Sequence, residues 1–187
     1  MGKFIVLTGL DGSGKDFVAT HLQTGDTPSV LLSTPTEPFI PVRSEIDALL
    51  YKSPSLHYFF YLASVIHAST LVDEYINNGN VYCVRYLIDT VVYHRAMGIP
   101  VSLEYETSLY KIRRPDLIVF LSIDDEEMRQ QRLANRGKFT VGDRLVNNDE
   151  FRNRLANEYN KLEEHFVVVN NCNRDIKDVA SEIQSLI

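Results

Sequence analysis

The segment "GLDGSGKD", Gly9–Asp16, follows the apolar stretch "FIVLT" and carries residue types that bind phosphate. Gly9, Gly12 and Gly14 place no Cβ in the loop, so successive backbone N–H groups can surround phosphate oxygens. Lys15 supplies a full positive charge to the β- and γ-phosphates of a nucleotide. The string matches G-x-x-x-x-G-K, and a glycine-rich turn that merely joins strand to helix is the alternative. We predict that the nucleotide-binding set is Gly9, Asp11, Gly12, Ser13, Gly14, Lys15 and Asp16.

Asp16 departs from the usual pattern, in which a Ser or Thr hydroxyl binds Mg²⁺ at this position. Its carboxylate can also bind Mg²⁺, and we therefore predict Asp16 as a magnesium ligand. The same carboxylate adds negative charge beside a triphosphate, which it repels unless a metal ion is bound. The motif indicates nucleotide phosphate binding without specifying which reaction follows.

Arginines elsewhere in the chain are suited to a second anion or to a phosphoryl group during transfer. Arg85 lies at the end of an apolar run, "NVYCVRY", at the carboxyl edge where α/β sheets bind ligands; an internal salt bridge is the alternative. Arg132 and Arg136 lie one helical turn apart, and Arg144 follows in a loop-like stretch. A closing lid would bring their charge over the phosphoryl group, whereas a solvated basic helix face is the alternative. We predict the catalytic set Lys15, Arg85, Arg132, Arg136 and Arg144.

Five apolar, β-branched runs must position these residues, and helical segments separate the runs. The runs are apolar nearly throughout, as strands covered on both faces are. Strands alternating with helices predict an α/β fold with a parallel sheet and right-handed crossovers. The predicted strands are 3–8, 29–34, 80–86, 116–123 and 165–170, and the predicted helices are 15–23, 43–51, 56–78, 88–97, 125–136, 149–164 and 174–186.

Loop and cap residues complete this division of the chain. Gly79 suits the C-cap of the third helix, and "NND" at 147–149 suits the N-cap of the sixth. The stretch 137–148, "GKFTVGDRLVNN", is the most loop-like, and we predict a mobile lid there. No repeat or linker divides the chain, so residues 1–187 are predicted to form a single domain.

Composition narrows the class of protein. The 187 residues carry a net charge of −6, which argues against a general nucleic-acid binder because no basic excess can displace phosphate counterions. Two cysteines, Cys83 and Cys172, are too few for a disulfide framework, and we expect Cys83 to be buried. The five histidines are scattered and predict neither a metal site nor an acid–base pair, with His57 and His67 on a helix surface or in packing. Without a signal peptide or a membrane-spanning run, the sequence predicts a cytoplasmic protein that does not bind membranes.

Taken in order along the chain, the phosphate loop and six further segments resemble the thymidylate kinases, a family of P-loop nucleoside monophosphate kinases. The segments are "TEP" (36–38), "LHYFFYLASVIHA" (56–68), "VRYLIDTVVYHRA" (84–96), "RPDLIVFLSID" (114–124), "RLANRGKFTVGDRL" (132–145) and "DEFRNRLANEYNKL" (149–162). The resemblance implies a P-loop NTPase fold, a three-layer sandwich in which helices flank a five-stranded parallel sheet. It implies transfer of the γ-phosphoryl group of ATP, with Mg²⁺, to a nucleoside monophosphate, dTMP or a related pyrimidine deoxynucleotide. It also implies a homodimer.

The resemblance implies a role in acceptor binding for seven residues. Arg85 would hold the acceptor phosphate, with help from Arg43. Asp11 would reach the 3′-hydroxyl of the sugar, unless it only stabilises its turn. Phe60 would stack on the base, unless it belongs to the apolar core as such helix stripes usually do. The remaining three are Glu37, on the acceptor side or capping its loop, Thr90, at the pyrimidine edge, and Tyr93, against the deoxyribose.

Three positions depart from the family pattern. Asp16 replaces a hydroxyl, Val84 replaces an acid, and Ser64 replaces an arginine that reads the base. We hypothesise that Asp16 takes over part of the metal-organising charge that is missing at position 84. The competing interpretation is a catalytically impaired nucleotide-binding protein with a regulatory role. Because the base-reading arginine is absent, strict selectivity for thymidylate does not follow.

Two other enzyme classes agree less well with the sequence. A P-loop kinase for a nucleoside or another small neutral metabolite would give Arg85 no anionic partner. A GTPase would need a guanine-binding motif of the N-K-x-D type after the fourth strand, and the sequence has none there.

Overall fold

The computed structural model describes residues 2–137 and 141–187. Its centre is a sheet of five parallel strands in the order β2-β3-β1-β4-β5. This confirms the predicted parallel sheet, and each strand is one or two residues shorter than its apolar run. The strands are β1 Phe4–Thr8, β2 Ser29–Ser33, β3 Asn80–Val84, β4 Leu117–Ser122 and β5 Val167–Asn170.

Helices cover both faces of the sheet. They are α1 Lys15–Gly25, α2 Arg43–Ala48, α3 Pro54–Tyr75, α4 Leu87–Ala96, α5 Leu103–Leu109, α6 Glu126–Asn135, α7 Val141–Val146, α8 Asp149–Asn160 and α9 Ile176–Gln184, with 3-10 turns at Glu37–Val42 and Glu163–His165. The sequence does not predict α5 and α7, since helices this short show no clear apolar period of 3.6 residues. Within the described ranges, no helix has the length and apolarity needed to cross a membrane.

Alternation along β1 divides the core into two layers. Phe4 and Val6 pack with residues of α3, α4 and α8, whereas Ile5 and Leu7 pack with residues of α1 and α9. Successive side chains of a strand point to opposite faces of the sheet, which explains the division. Cys83 of β3 is fully buried in the first layer, as expected. Helices, sheet and helices thus form three layers, as implied by the resemblance.

Gly79 is not the C-cap of α3, which ends at Tyr75. Its role is to permit a close approach of two backbones, because a Cβ there would lie 1.8 Å from the carbonyl oxygen of Pro28. At the other predicted cap, Asn148 precedes α8 and its side chain accepts a 2.9 Å hydrogen bond from the Phe151 N–H. That prediction is confirmed.

The predicted lid, 137–148, is partly helical. α7 occupies Val141–Val146, so the expectation of a loop is wrong for these residues. Residues 138–140 lie outside the described residues. Val146 is buried in the core layer of α3, α4 and α8, which ties the end of α7 to the body of the protein. Lid closure remains a prediction.

Candidate functional site

The phosphate-binding sequence forms the turn between β1 and α1, at the carboxyl edge of the sheet. Gly9, Gly12 and Gly14 have φ angles of 133°, 91° and 89°, which glycine adopts without strain. Gly14 also has no room for a side chain, because a Cβ on this residue would lie 2.6 Å from Asn171 Nδ2. α1 begins at Lys15, so the N–H groups of its first turn also point towards this loop. The turn has the geometry of an anion cradle.

The hydroxyl of Ser13 gives a second indication of the ligand. It is buried in the turn and makes no hydrogen bond with any residue that the structure describes. A buried hydroxyl without a partner costs about 1–3 kcal/mol, and a phosphate oxygen would satisfy it. The turn therefore fits the polyphosphate of a nucleotide.

One carboxylate, that of Asp11, pairs with two cations. Lys15 Nζ lies 3.3 Å from Asp11 Oδ1 and donates to the Leu10 carbonyl at 3.2 Å. The Arg85 guanidinium forms an ion pair with the same Oδ1. Burial alone would raise the pKa of Asp11, but Arg85 and Lys15 hold it well below its usual value. Because two cations share one anion, a phosphate group can replace Asp11 as the partner of either.

Arg85 directly follows β3 in an unusual backbone conformation. Its φ is 62°, in the left-handed region that costs roughly 1 kcal/mol for a residue with a Cβ. Its N–H donates to the Leu7 carbonyl at 2.9 Å, which holds the residue beside β1. From this position the guanidinium reaches Asp11 in the phosphate turn.

A cavity opens beside Arg85, and we call it the Arg85 cavity. Five of the predicted acceptor residues line it: Asp11, Arg43, Arg85, Thr90 and Tyr93. Thr90 and Tyr93 lie three residues apart on α4 and share a face. The other lining residues are Thr34, Asp47, Leu50, His57, Tyr61, Asp89, His94, Met97 and Leu145.

Two predicted acceptor residues do not line this cavity. Phe60 packs edge-on against a phenylalanine of the first 3-10 turn, with ring centroids 5.6 Å apart. Glu37 is exposed at the start of that turn. Ser64, at the position of the missing base-reading arginine, accepts a 2.7 Å hydrogen bond from the Thr36 N–H. The tyrosine of α3 that does line the cavity is Tyr61, the residue next to Phe60.

A second cavity borders the phosphate turn and α6, and we call it the α6 cavity. Asp16, Arg132 and Arg136 line it. Arg132 donates to the Ser13 carbonyl at 3.4 Å and to a carbonyl after β5 at 3.0 Å. Arg144, the third predicted lid arginine, is exposed on α7 and lines neither cavity. The remaining lining residues are Gly12, Gly14, Phe17, Val18, Leu133, Asn135, Asn171, Arg174 and Ile176.

Arg129 belongs to this site, although its sequence context alone does not single it out. It is 1% exposed, and its Nη1 donates to the Asp11 carbonyl at 2.9 Å. Glu126 pairs with its Nε at 2.7 Å. Arg129 therefore anchors the phosphate turn to α6. The available signal is its position one helical turn before Arg132.

Asp89 is a second residue of the site that the sequence alone does not single out. Its Oδ1 accepts hydrogen bonds from Thr8 Oγ1 at 2.8 Å and from the Tyr159 hydroxyl at 3.2 Å. Its Oδ2 accepts the Tyr86 N–H at 3.0 Å, so the carboxylate also caps α4. Burial raises the pKa of Asp89, and the nearby charge of Arg85 opposes this effect only in part.

Asp16 and Asp89 border different cavities. Asp16 is exposed and borders the α6 cavity, whereas Asp89 is buried and borders the Arg85 cavity. Val84, where the family pattern has an acid, is buried among the apolar residues of the α1 and α9 layer. Asp89 thus supplies a carboxylate close to Arg85, whatever the role of Asp16.

Two of the histidines lie together, so the expectation that all five are scattered is wrong. His57 Nδ1 is 2.9 Å from His94 Nε2, and His57 Nε2 is 3.2 Å from Asp47 Oδ1. His67 packs elsewhere on α3, with its Nδ1 2.9 Å from Thr36 Oγ1. Sequence gives no signal of the contact between His57 and His94 because tertiary packing brings α3 and α4 together. In the described part of the chain, no three His, Cys, Asp or Glu side chains are arranged to hold a metal ion.

The sequence and the fold of this chain are similar to those of known proteins. The family model described as thymidylate kinase matches residues 7–183. The chain is 27% identical to a probable thymidylate kinase of Methanococcus vannielii, over 98% of this chain and 94% of the relative. It is 29% identical to a thymidylate kinase of Legionella pneumophila, over 100% of this chain and 94% of the relative. A solved thymidylate kinase from Candida albicans covers 100% of this chain and 91% of its own, with 18% identity and a TM-score of 0.73, and supports the fold.

Proposed function

The chain belongs to the thymidylate kinase family, and we propose that it transfers the γ-phosphoryl group of ATP to dTMP or a related pyrimidine deoxynucleotide. It is a phosphotransferase of the nucleoside monophosphate kinase class, which converts ATP and a deoxynucleoside monophosphate into ADP and the diphosphate. The observation that carries the proposal is the pairing of Lys15 and Arg85 with one carboxylate, that of Asp11. One cation is thereby available for each of two phosphate groups.

The phosphate turn binds the polyphosphate of ATP. Its backbone N–H groups, the Ser13 hydroxyl and the first turn of α1 contact the phosphate oxygens, and Lys15 neutralises the β- and γ-phosphates. Arg132 of α6 and Arg136, the C-cap of this helix, bring further positive charge. Arg144 on α7 joins them when the lid closes.

The Arg85 cavity binds the acceptor. An incoming phosphomonoester displaces Asp11 from Arg85, because its higher charge makes it the better partner for a guanidinium. The released Asp11 carboxylate accepts a hydrogen bond from the 3′-hydroxyl of the sugar. Arg43 supplies a second cation at the cavity wall. Along α4, Thr90 faces the pyrimidine edge and Tyr93 faces the deoxyribose.

Base stacking belongs to one of two neighbouring rings. The family resemblance assigns it to Phe60, which would first have to leave its contact in the 3-10 turn. Tyr61 already lines the cavity. Glu37, at the start of that turn, approaches the acceptor only when the turn moves. Substitutions at positions 60 and 61 distinguish the two rings.

Transfer requires positioning and charge from the protein. An oxygen of the acceptor phosphate attacks the γ-phosphorus, and the bond from that phosphorus to the β,γ-bridging oxygen breaks to release ADP. No covalent enzyme intermediate and no strong general base are needed, because the attacking phosphate is already ionised. Lys15 and the arginines of α6 neutralise the charge on the transferred group.

Magnesium fits beside the phosphate turn at Asp16. The carboxylate of Asp16 follows Lys15 in sequence, is exposed and borders the α6 cavity, which suits an ion that keeps several water ligands. When bound, Mg²⁺ neutralises negative charge on the β- and γ-phosphates. Asp16 is the residue that would hold it.

The protein acts as a homodimer in the cytoplasm. Leu56 and Phe59 of α3 are 44% and 56% exposed, and burial of such apolar side chains between two copies is favourable. Light scattering of the purified chain measures the mass of the assembly, and a monomer across the micromolar range would contradict the dimer.

The decisive experiment is production of nucleoside diphosphate from MgATP with dTMP, dUMP, dCMP, UMP and the purine monophosphates in turn. Product from dTMP or one related pyrimidine supports the kinase and identifies its acceptor. The competing interpretation, an impaired nucleotide-binding protein, rests on Asp16 and Val84. Tight ATP binding without product from any acceptor would favour it.

A further inference from the structure

A chain of three hydrogen bonds crosses the wall of the Arg85 cavity and joins α2, α3 and α4. His94 Nδ1 lies 2.6 Å from the Thr90 carbonyl oxygen, and His94 Nε2 lies 2.9 Å from His57 Nδ1. His57 Nε2 lies 3.2 Å from Asp47 Oδ1. Asp47, His57 and His94 are at most 9% exposed and line the cavity.

The number of protons in this chain follows from its two ends. A backbone carbonyl and a carboxylate only accept hydrogen bonds, so three hydrogen bonds between them need three protons. Two neutral imidazoles carry only two. One side chain of the chain must therefore hold an extra proton.

The environment assigns that proton to His57. Burial lowers the pKa of His94 to about 4, so this ring is neutral, and its single proton lies on Nδ1 because the Thr90 carbonyl cannot donate. His94 Nε2 must then accept from His57 Nδ1. Burial alone would raise the pKa of Asp47, but hydrogen bonds from His57 and Tyr61 lower it, so the carboxylate accepts from His57 Nε2. Both ring nitrogens of His57 thus carry protons.

The same carboxylate holds the second cation of the acceptor site. Arg43 Nε lies 3.4 Å from Asp47 Oδ2 and donates to the Tyr61 hydroxyl at 3.1 Å, and that hydroxyl donates to Asp47 Oδ1 at 2.8 Å. Both of these Arg43 contacts use Nε, so the two Nη groups take part in neither of them. Asp47, Tyr58 and Tyr61 face the imidazoles, and Arg43 contacts the same Asp47 carboxylate.

We propose that His57 is a positioning residue for the acceptor phosphate: as an imidazolium it shares the charge of Asp47 and so leaves Arg43 oriented and electropositive in the Arg85 cavity. Without the proton on His57, one hydrogen bond of the chain is lost and Asp47 pairs with Arg43 alone. The cavity wall then loses one positive charge, and its attraction for a phosphomonoester weakens. This inference rests on the proposed acceptor site, and equilibrium binding tests it without turnover.

Nitrogen NMR of the ¹⁵N-histidine-labelled full chain tests the proton directly. At pH 7 we expect both ring nitrogens of His57 to be protonated and His94 to be protonated on Nδ1 only. The spectrum of His57→Gln assigns the signals. A singly protonated His57 at pH 7 would overturn the proposal.

Calorimetric titration with dTMP tests the consequence. His57→Gln is expected to raise the dissociation constant for dTMP roughly tenfold, as loss of one charged hydrogen bond does, while His165→Gln, a partly exposed histidine in the second 3-10 turn, leaves it within about twofold.

A double-mutant cycle tests the route through Arg43. In the Arg43→Gln background, His57→Gln is expected to have little further effect on dTMP binding. A full effect in that background, or an unchanged constant for His57→Gln alone, would contradict the inference. If His57→Gln does not fold, nitrogen NMR of the wild-type protein still decides, because both ring nitrogens of His57 must carry protons. Failure of the kinase itself appears separately, as absence of diphosphate product.

Discussion

The two cavities of this protein are built by different means. The α6 cavity borders one contiguous segment, Gly9–Asp16, in which backbone N–H groups and glycine conformations form the anion cradle. The Arg85 cavity is lined by Asp11 of the same segment and mainly by side chains of α2, α3, α4 and α7, which are spread over residues 43–146. A backbone cradle depends on φ angles and close approach, whereas a pocket of side chains depends on how several helices pack. The first should therefore be sensitive to any added Cβ and the second to the loss of individual polar groups.

The largest expected effect separates the two cavities by ligand. Arg85→Ala removes a guanidinium that can form two charged hydrogen bonds with the acceptor phosphate, so kcat/KM for dTMP should fall about 100-fold. The dissociation constant for ATP should change by less than about threefold, because the phosphate turn and Lys15 remain. Steady-state kinetics and ATP titration measure the two quantities.

Arg154→Ala is the matched control for this substitution. Its side chain is 53% exposed on α8 and pairs with Glu150, away from both cavities. An equal loss of ATP and dTMP affinity in Arg85→Ala would mean that the two cavities form one electrostatic unit rather than two.

The cradle is tested by two glycines with the same backbone angle. Gly14 and Gly98 have φ angles of 89° and 88°, but a Cβ on Gly98 would meet nothing within 4 Å, whereas one on Gly14 would meet Asn171. Gly98→Ala should therefore lower stability by about 1 kcal/mol without affecting binding. Gly14→Ala should in addition weaken ATP binding at least about tenfold, since the loop must shift. Equal ATP affinities in the two variants would show that close approach is irrelevant to the cradle.

The same contrast explains what the sequence predicts well. A phosphate turn is encoded by neighbours in sequence, so "GLDGSGKD" is enough to locate Lys15 and its glycines. The parallel strands are also local, because each is an uninterrupted apolar run of a length typical of a strand. Of the helices that the structure describes, only α5 and α7 are not predicted from the sequence, because they are too short to show an apolar period of 3.6 residues.

Side-chain contacts between helices are not encoded in this way. His57 meets His94 across 37 positions, and Asp89 meets Tyr159 across 70. On α3, adjacent residues point about 100° apart, and large apolar or aromatic side chains surround the helix on all sides. No stripe therefore distinguishes Phe60 from Tyr61, although only Tyr61 lines the cavity.

Substitution of these two rings is expected to have a smaller effect than the changes in the phosphate turn. Tyr61→Leu should lower kcat/KM for dTMP roughly fivefold or more, because it removes both a ring from the cavity and the hydroxyl that holds Arg43 and Asp47. Phe60→Leu should change the same constant by less than about twofold. Kinetics at fixed MgATP measure both, with thermal melting to confirm folding. The reverse order would return base stacking to Phe60.

The smallest expected effect concerns the carboxylate that connects the two regions. Asp89 lines the Arg85 cavity and accepts a hydrogen bond from Thr8, the residue before the phosphate turn. Because burial raises the pKa of Asp89, the folded protein holds the proton of this group more tightly than the unfolded chain does. The stabilisation of the folded protein by protonated Asp89 is complete below the unfolded-state pKa, about 3.9. It is lost as pH rises from that value through the folded-state pKa.

Asp89→Asn removes this titration while keeping an oxygen that accepts from Thr8. Thermal melting is measured between about pH 4 and neutral pH. The melting temperature of the variant minus that of wild type should rise by a few degrees over this range. Tyr159→Phe removes one donor to the ionised carboxylate, so its stability should fall more steeply with pH than that of wild type. A difference between Asp89→Asn and wild type that is constant with pH would mean that Arg85 and Lys15 already offset the burial of this carboxylate. The charged groups of the phosphate turn and of the Arg85 cavity would then compensate one another. The two cavities would differ in shape but share one electrostatic environment.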